Sequence, residues 1–278
     1  MKVGIGLPAA VPETDMTLIA GWAAEAERAG FESVGVIDRL VYDNLDPLTA
    51  LAAAAGSTSR IELLSTVVNV CWRGNAVLLA KQLSSVARLS GGRLTAGLGM
   101  GAWPADYKAS DVPLEGRSAL FETSLATMQR TWQESGDGPR ILLAGTVRSS
   151  FARAAREMSD GWVAPLFGLA LLQEGGAAVR RAWAELGRDG RPRVVTGRYF
   201  CLEPGAQAIA DEYIHHYYGP DFFDEARQDT LTDPDQVHAE LGRLSEAGCA
   251  DVLLFPCSGD LEQVSLLAQA LQAKGTYV

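Results

Sequence analysis

Histidine is scarce, with only His215, His216 and His238 in 278 residues. A metal hydrolase built on a barrel would want His or Asp at several strand ends, and no histidine falls at such a place. The pair His215-His216 lies in a helical stretch among acids and tyrosines and reads as a solvated face. The four cysteines, Cys71, Cys201, Cys249 and Cys257, show no CxxC spacing and have no neighbouring histidine, so a zinc set is not expected. Reduced thiols in a cytoplasmic protein are the expectation. No GxSxG occurs, which removes the nucleophile elbow of serine hydrolases. No run of about 18 apolar residues is available to span a membrane, and the opening Met1–Pro8 stretch is too short for a secretory signal. Lys and Arg number 24 against 34 Asp and Glu, a net charge of −10, which argues against a nucleic-acid surface.

What the chain does have is a repeated alternation, supported by a 47% apolar content that can fill a large core. Short β-branched runs predict strands at Lys2–Leu7, Ser33–Ile37, Ile61–Val68, Leu94–Leu98, Ile141–Ala144, Gly161–Val163, Arg193–Tyr199 and Ala250–Phe255. Between them, longer amphipathic stretches predict helices at Met16–Ala29, from Pro47 to about Thr58, from Asn75 to about Leu89, and at Leu120–Gln133, Ser150–Met158 and Leu169–Leu186. Two helices near Ala206–Tyr217 and Asp233–Ala247 follow the seventh strand, with Asp221–Asp229 between them as exposed loop. Asp260–Ala273 closes the chain. The strands are nearly all apolar, as a parallel sheet buried on both faces requires. A doubly wound open sheet permits the same order; eight repeats in a chain near the roughly 250 residues of one barrel favour an α/β fold of the (β/α)8 TIM-barrel type. No linker divides residues 1–278, so a single domain is expected, with the active site at the carboxyl ends of the strands.

Two stretches match the dinucleotide fingerprint GxGxx(G/A), at Gly4–Ala9 and Gly97–Ala102. The fingerprint works only when its glycine turn delivers a pyrophosphate to a helix N-terminus. Ala10-Val11-Pro12 and Trp103-Pro104 follow instead, so neither opens a helix directly.

Read in order, the strand regions resemble the bacterial luciferase-like flavin oxidoreductases. Gly30–Leu40 followed by Asp46-Pro47-Leu48 is similar to that family's second strand, and Thr58–Val68 to its third. Ala80-Lys81, Leu89–Leu94 and Gly97–Gly101 resemble the fourth-strand signature. Gly138–Gly145, Ala154-Ala155-Arg156 and Ser159–Trp162 resemble the fifth and sixth. The likeness is good over residues 1–165 and only outlined beyond; no piece is specific alone, but five in order are.

The resemblance implies a (β/α)8 fold, a homodimer, a small-molecule substrate, and FMN or the deazaflavin coenzyme F420 as cofactor. The family holds its cofactor phosphate on the turn after the fifth strand, which nominates Gly145, Thr146, Ser149 and Ser150. The residues themselves agree: backbone N–H groups and small hydroxyls converge between a strand and a helix. Arg117 matches a family arginine that neutralises this phosphate. Relatives also carry a non-proline cis peptide beneath the isoalloxazine ring, and Thr66–Val67 or its neighbour is the matching bond. Thr66, Val67, Asn69, Gly99 and Met100 therefore join the expected cofactor contacts. Tyr42, Trp72 and Trp103 are expected at the substrate, with Arg73 bordering the ring.

The chain also departs from the pattern. Where some members have a proton-transferring histidine after the second strand, this chain has Asp38-Arg39, and Ala102 replaces an acid of the sugar-oxidising relatives. Both weaken a reading as an alcohol or sugar dehydrogenase, which needs a base. A monooxygenase, or a deazaflavin hydride donor using Asp38, Tyr42 or Tyr107 as acid, stays open. Asp38, Arg39 and Tyr107 are thus the catalytic candidates. Tyr213, Tyr217, Tyr218, Phe222 and Phe223 are expected as core. The rival readings are a non-catalytic flavin-binding protein and a phosphate-substrate lyase or isomerase, the latter lacking a strand-end lysine.

Overall fold

The computed structural model describes residues 1–273. Its eight strands are β1 (Lys2–Gly6), β2 (Ser33–Val36), β3 (Glu62–Asn69), β4 (Leu94–Gly99), β5 (Arg140–Ala144), β6 (Gly161–Val163), β7 (Arg193–Phe200) and β8 (Asp251–Pro256). Each pairs in parallel with its chain neighbour, and β8 pairs with β1 to close the ring. The fold is a (β/α)8 barrel, and closure removes the open-sheet alternative. Every strand lies within one residue of its sequence expectation.

Eleven helices wrap the barrel among the described residues: α1 (Ile19–Arg28), α2 (Pro47–Ser57), α3 (Ala76–Leu89), α4 (Pro104–Ala109), α5 (Arg117–Ser135), α6 (Arg148–Ala154), α7 (Leu169–Glu185), α8 (Ala206–Tyr218), α9 (Phe223–Gln228), α10 (Pro234–Glu246) and α11 (Glu262–Gln272). Local chemistry sets their starts. Asp46 accepts from the amides of Leu48 and Thr49 at 3.0 and 3.1 Å and precedes Pro47 at the first turn of α2. Asn75 and Asp233 cap α3 and α10 in the same way.

Four helical expectations need correction. Helix α4 is additional, and α5 begins at Arg117 rather than Leu120, entered from Gly116 with φ 75° and without a side-chain cap. The Asp221–Asp229 segment contains α9 rather than only loop, so three helices follow β7. Helix α6 ends at Ala154, four residues before the expected Met158.

The core has two layers. Leu64, Leu142, Val163, Val195 and Leu253 fill the barrel lumen. Ile5, Val34, Leu63, Leu143 and Leu254 face outward onto Trp22, Leu51 and Leu83 of the helices. The glycines of the two apparent dinucleotide fingerprints are a consequence of this packing. A Cβ on Gly6 would lie 2.2 Å from the Phe255 ring, and one on Gly97 would lie 2.1 Å from the Ser65 carbonyl oxygen. At the amino-terminal end, Arg193 bridges Glu62 and Asp251, each through two hydrogen bonds of 2.7–2.8 Å. Burial pushes the Glu62 carboxyl up, but hydrogen bonds from Arg193 and Thr95 and the charges of Arg193 and Arg140 outweigh it and hold it low. The chemistry-bearing end is therefore the other one.

Candidate active site

A cavity of about 850 Å³ opens at the carboxyl ends of β2 to β7, the face on which barrel enzymes carry their sites. Its first wall is the end of β3. There the Thr66–Val67 peptide is cis, and the register with β4 shifts between Ser65 and Val68. Thr66, Val67 and Asn69 line the cavity, with Gly99 and Met100 from β4 beside them. Gly99 has to be small here, because a Cβ would meet Val67 Cγ2 at 2.6 Å.

Asp38 follows β2 and also lines the cavity. Its carboxylate accepts from the Asn69 amide at 2.7 Å and pairs with Arg73 Nη2 at 3.1 Å. Burial pushes this carboxyl up to about 6, further than the Arg73 charge and the Asn69 hydrogen bond pull it down. A carboxyl poised near neutrality at a cavity wall can take or give a proton.

The second wall is the turn between β5 and α6. Gly145, Thr146 and Ser149 line the cavity, and Arg117 enters from the start of α5. The Arg117 guanidinium makes one contact, from Nη1 to the Leu114 carbonyl at 3.4 Å, and no ion pair among the described residues. The Thr146 and Ser149 hydroxyls are exposed. This is a set of uncommitted donors around a half-buried cation, which suits a phosphate. Helix α6 is only seven residues long, so the turn and the arginine carry this reading rather than a helix dipole.

Several expected contacts are placed elsewhere. The Ser150 hydroxyl is buried and spent locally, accepting from the Val147 amide at 3.1 Å and donating to the Val147 carbonyl at 2.6 Å. Gly145, with φ 140°, makes room for it, since a Cβ there would lie 2.4 Å from Ser150 Cβ. Tyr107 is 1% exposed and donates to the Met100 carbonyl at 2.6 Å. It supports the floor and has no face on the cavity. Trp72 is buried edge-on against Tyr107, with ring centroids 5.5 Å apart. Arg39 lies behind Trp103, its guanidinium carbon 3.9 Å from the ring centroid, and its Nε is held by Asp106 at 3.0 Å. Tyr42 turns to the rim, where its hydroxyl meets His216 Nδ1 at 2.7 Å. Trp103 does line the cavity. Arg39 and Tyr107 therefore lack the access to a reacting group that their expected catalytic roles require.

The third wall was not expected from sequence. Tyr199 of β7 and Tyr217 and Tyr218 of α8 line the cavity, joined by Leu166 after β6. Tyr199 shares the inward parity of Val195 and Gly197, a signal present in the strand. Nothing in the α8 sequence tells which of its aromatics faces in.

Comparison with known proteins now gives the chain its family. The luciferase-like monooxygenase model matches residues 1–264. The protein belongs to the luciferase-like monooxygenase family. An uncharacterised protein of Mycobacterium tuberculosis is 30% identical over 174 residues, covering 54% of this chain and 60% of that protein. The F420-dependent glucose-6-phosphate dehydrogenase of Beutenbergia cavernae is 30% identical over 143 residues, covering 45% of this chain and 38% of the enzyme. The chain thus spans less than two thirds of the length of these relatives. Among solved structures, a monooxygenase from Streptomyces bottropensis superposes with TM-score 0.83 at 21% identity, covering 100% of both chains. The oxygenating constituent of 3,6-diketocamphane monooxygenase from Pseudomonas putida, solved with FMN, gives TM-score 0.80 at 16% identity, covering 100% of this chain and 97% of that one. At these identities the superpositions describe the shared fold.

Proposed function

We propose that this luciferase-like chain is an oxidoreductase that binds FMN or coenzyme F420 in the cavity and acts on a small organic substrate. The carrying observation is that one cavity joins the β3 wall to the uncommitted donors Arg117, Thr146 and Ser149. A phosphate fits that donor set, and a flat ring fits the apolar strip of Val67, Gly99 and Met100. The relatives named with F420 and with FMN support the two choices equally.

Either group, when bound, supplies hydride-transfer chemistry, and reduced FMN also activates oxygen. The chain's own residues do the rest. Arg117, Thr146 and Ser149 bind phosphate. Thr66, Val67 and Asn69 back the ring. Asp38 holds or releases a proton at its carboxyl, oriented by Arg73 and Asn69. Trp103 and the tyrosines exclude water from the far wall. The protein works as a homodimer in this reading, on the strength of the family resemblance alone.

Titration of the purified chain with FMN and with F420, followed by cofactor fluorescence, tests the proposal. Saturable binding of one of them is expected; binding of neither contradicts it.

A further inference from the structure

The third wall does more than close the cavity. In an eight-stranded ring, β7 stands four places from β3, so Tyr199 faces the Thr66–Val67 wall across the lumen. Tyr199 and Tyr218 share a hydroxyl–hydroxyl hydrogen bond of 2.9 Å. One O–H is spent in that bond, and the other remains available. The Tyr217 ring lies 4.8 Å from that of Tyr218, and the Tyr217 hydroxyl makes no hydrogen bond among the described residues. Trp103 meets both rings, at 6.1 Å from Tyr217 and 6.0 Å from Tyr218. Behind Trp103, Arg39 stacks at 3.9 Å and is fixed by the fully buried Asp106. The wall is aromatic, backed by the Arg39–Asp106 pair and supplied with unspent hydroxyls.

Packing alone does not call for this composition. Phenylalanine would fill the same space without burying hydroxyls that need partners. Burial drives the tyrosine hydroxyls at 199, 217 and 218 well above their usual range, so they remain proton donors at every ordinary pH. The charge distribution narrows the ligand further. Arg117 is the sole Lys or Arg side chain lining the cavity among the described residues, and it belongs to the phosphate wall. The tyrosine wall therefore offers a neutral hydrogen-bonding surface rather than a counter-ion for a carboxylate.

We propose that Tyr199, Tyr217, Tyr218 and Trp103 form the substrate subsite, and that it takes a planar ring compound carrying a phenolic or ring-carbonyl oxygen. The ring lies against aromatic faces, which prefer offset or edge-on aromatic partners to alkyl chains. The oxygen meets the hydroxyls of Tyr217 and the Tyr199–Tyr218 pair. This inference rests on the reading of the opposite wall as a flavin or deazaflavin site, since that reading leaves the tyrosine wall for the substrate.

The test is equilibrium binding of 2-naphthol, naphthalene and 1-decanol to the full chain, with and without saturating FMN or F420, measured by calorimetry. The probes separate ring, oxygen and chain. The expected order is 2-naphthol tightest, by about ten-fold over naphthalene, which is what one well-placed hydrogen bond supplies. A Tyr217→Phe, Tyr218→Phe double variant, which keeps only the Tyr199 hydroxyl, weakens 2-naphthol binding several-fold toward the level of naphthalene and leaves cofactor affinity unchanged. Equal binding of 1-decanol and 2-naphthol by the unaltered chain overturns the proposal, whether or not the variant folds. So does a folded double variant that binds 2-naphthol as tightly as before. Binding of 2-naphthol without binding of either cofactor upholds the subsite while removing the proposed function; cofactor binding without 2-naphthol binding does the reverse.

Discussion

The amide of Asn69 donates to Asp38 Oδ2 at 2.7 Å, and the Asn69 side-chain amide donates back to the Asp38 carbonyl at 2.9 Å. This pair of hydrogen bonds ties the end of β3 to the end of β2 and fixes one buried carboxyl at the cavity wall. Arg73 holds the same carboxylate from the other side. The consequences of that placement, and of the packing around it, can be measured.

Asp38 gives a pH signature. Its native carboxyl, raised to about 6, holds a proton more tightly than the ordinary 3.8 of an unfolded chain. The protonated form therefore adds stability that is fully present below about pH 4 and is lost as pH rises through about 6. The stability of the protein relative to an Asp38→Asn variant should fall as pH climbs from about 4 to about 7. Thermal melts of both proteins across that range check it, and a constant difference would show that Asp38 titrates normally.

Asp106 supports the aromatic wall from behind. It is fully buried and accepts from Arg39 Nε and the Val41 amide, each at 3.0 Å. Replacing it with alanine leaves the nearly buried Arg39 charge unpaired, a loss of about 3–5 kcal/mol. Urea denaturation should report this, together with a change in tryptophan fluorescence as Trp103 loses its backing. A loss under about 1 kcal/mol, the range of an exposed ion pair, would mean the pair is wetter than the structure has it.

Two glycines should respond in opposite directions. At Gly6 an added methyl would meet the Phe255 ring at 2.2 Å and the Phe255 Cα at 2.8 Å. Gly6→Ala is expected to cost about 1–3 kcal/mol through overpacking. At Gly21, within α1, nothing lies within 4 Å of the added carbon. Gly21→Ala is expected to stabilise by about 0.5–1 kcal/mol through helix propensity. Chemical denaturation of both variants gives the comparison.

The strands were legible because they are buried on both faces and so appear as mainly apolar runs, as in Ile141–Ala144 and Val252–Pro256. Closure was not legible from that pattern, and pairing of Lys2 to Ile5 with Asp251 to Leu254 supplies it. Helices α4 and α9 escaped because six residues make fewer than two turns, too few for a periodic face to emerge. At the site, position along the chain identified strand ends but not side-chain direction. Trp72 and Tyr107 follow strands as expected, yet they pack on each other beneath the floor. Adjacent Tyr217 and Tyr218 both reach the cavity because α8 ends there, a fact of helix placement that local spacing does not encode.

The central claim is that a cofactor phosphate sits against Arg117, Thr146 and Ser149. Its most direct test compares whichever cofactor binds with its phosphate-free parent, riboflavin for FMN or the bare deazaflavin chromophore for F420, in the unaltered protein and in Arg117→Ala. The account predicts that the phosphate-bearing form binds at least about ten-fold tighter, and that Arg117→Ala removes most of that advantage, as expected for a charge-assisted contact. Equal affinity for the two forms, or an advantage untouched by Arg117→Ala, would contradict it.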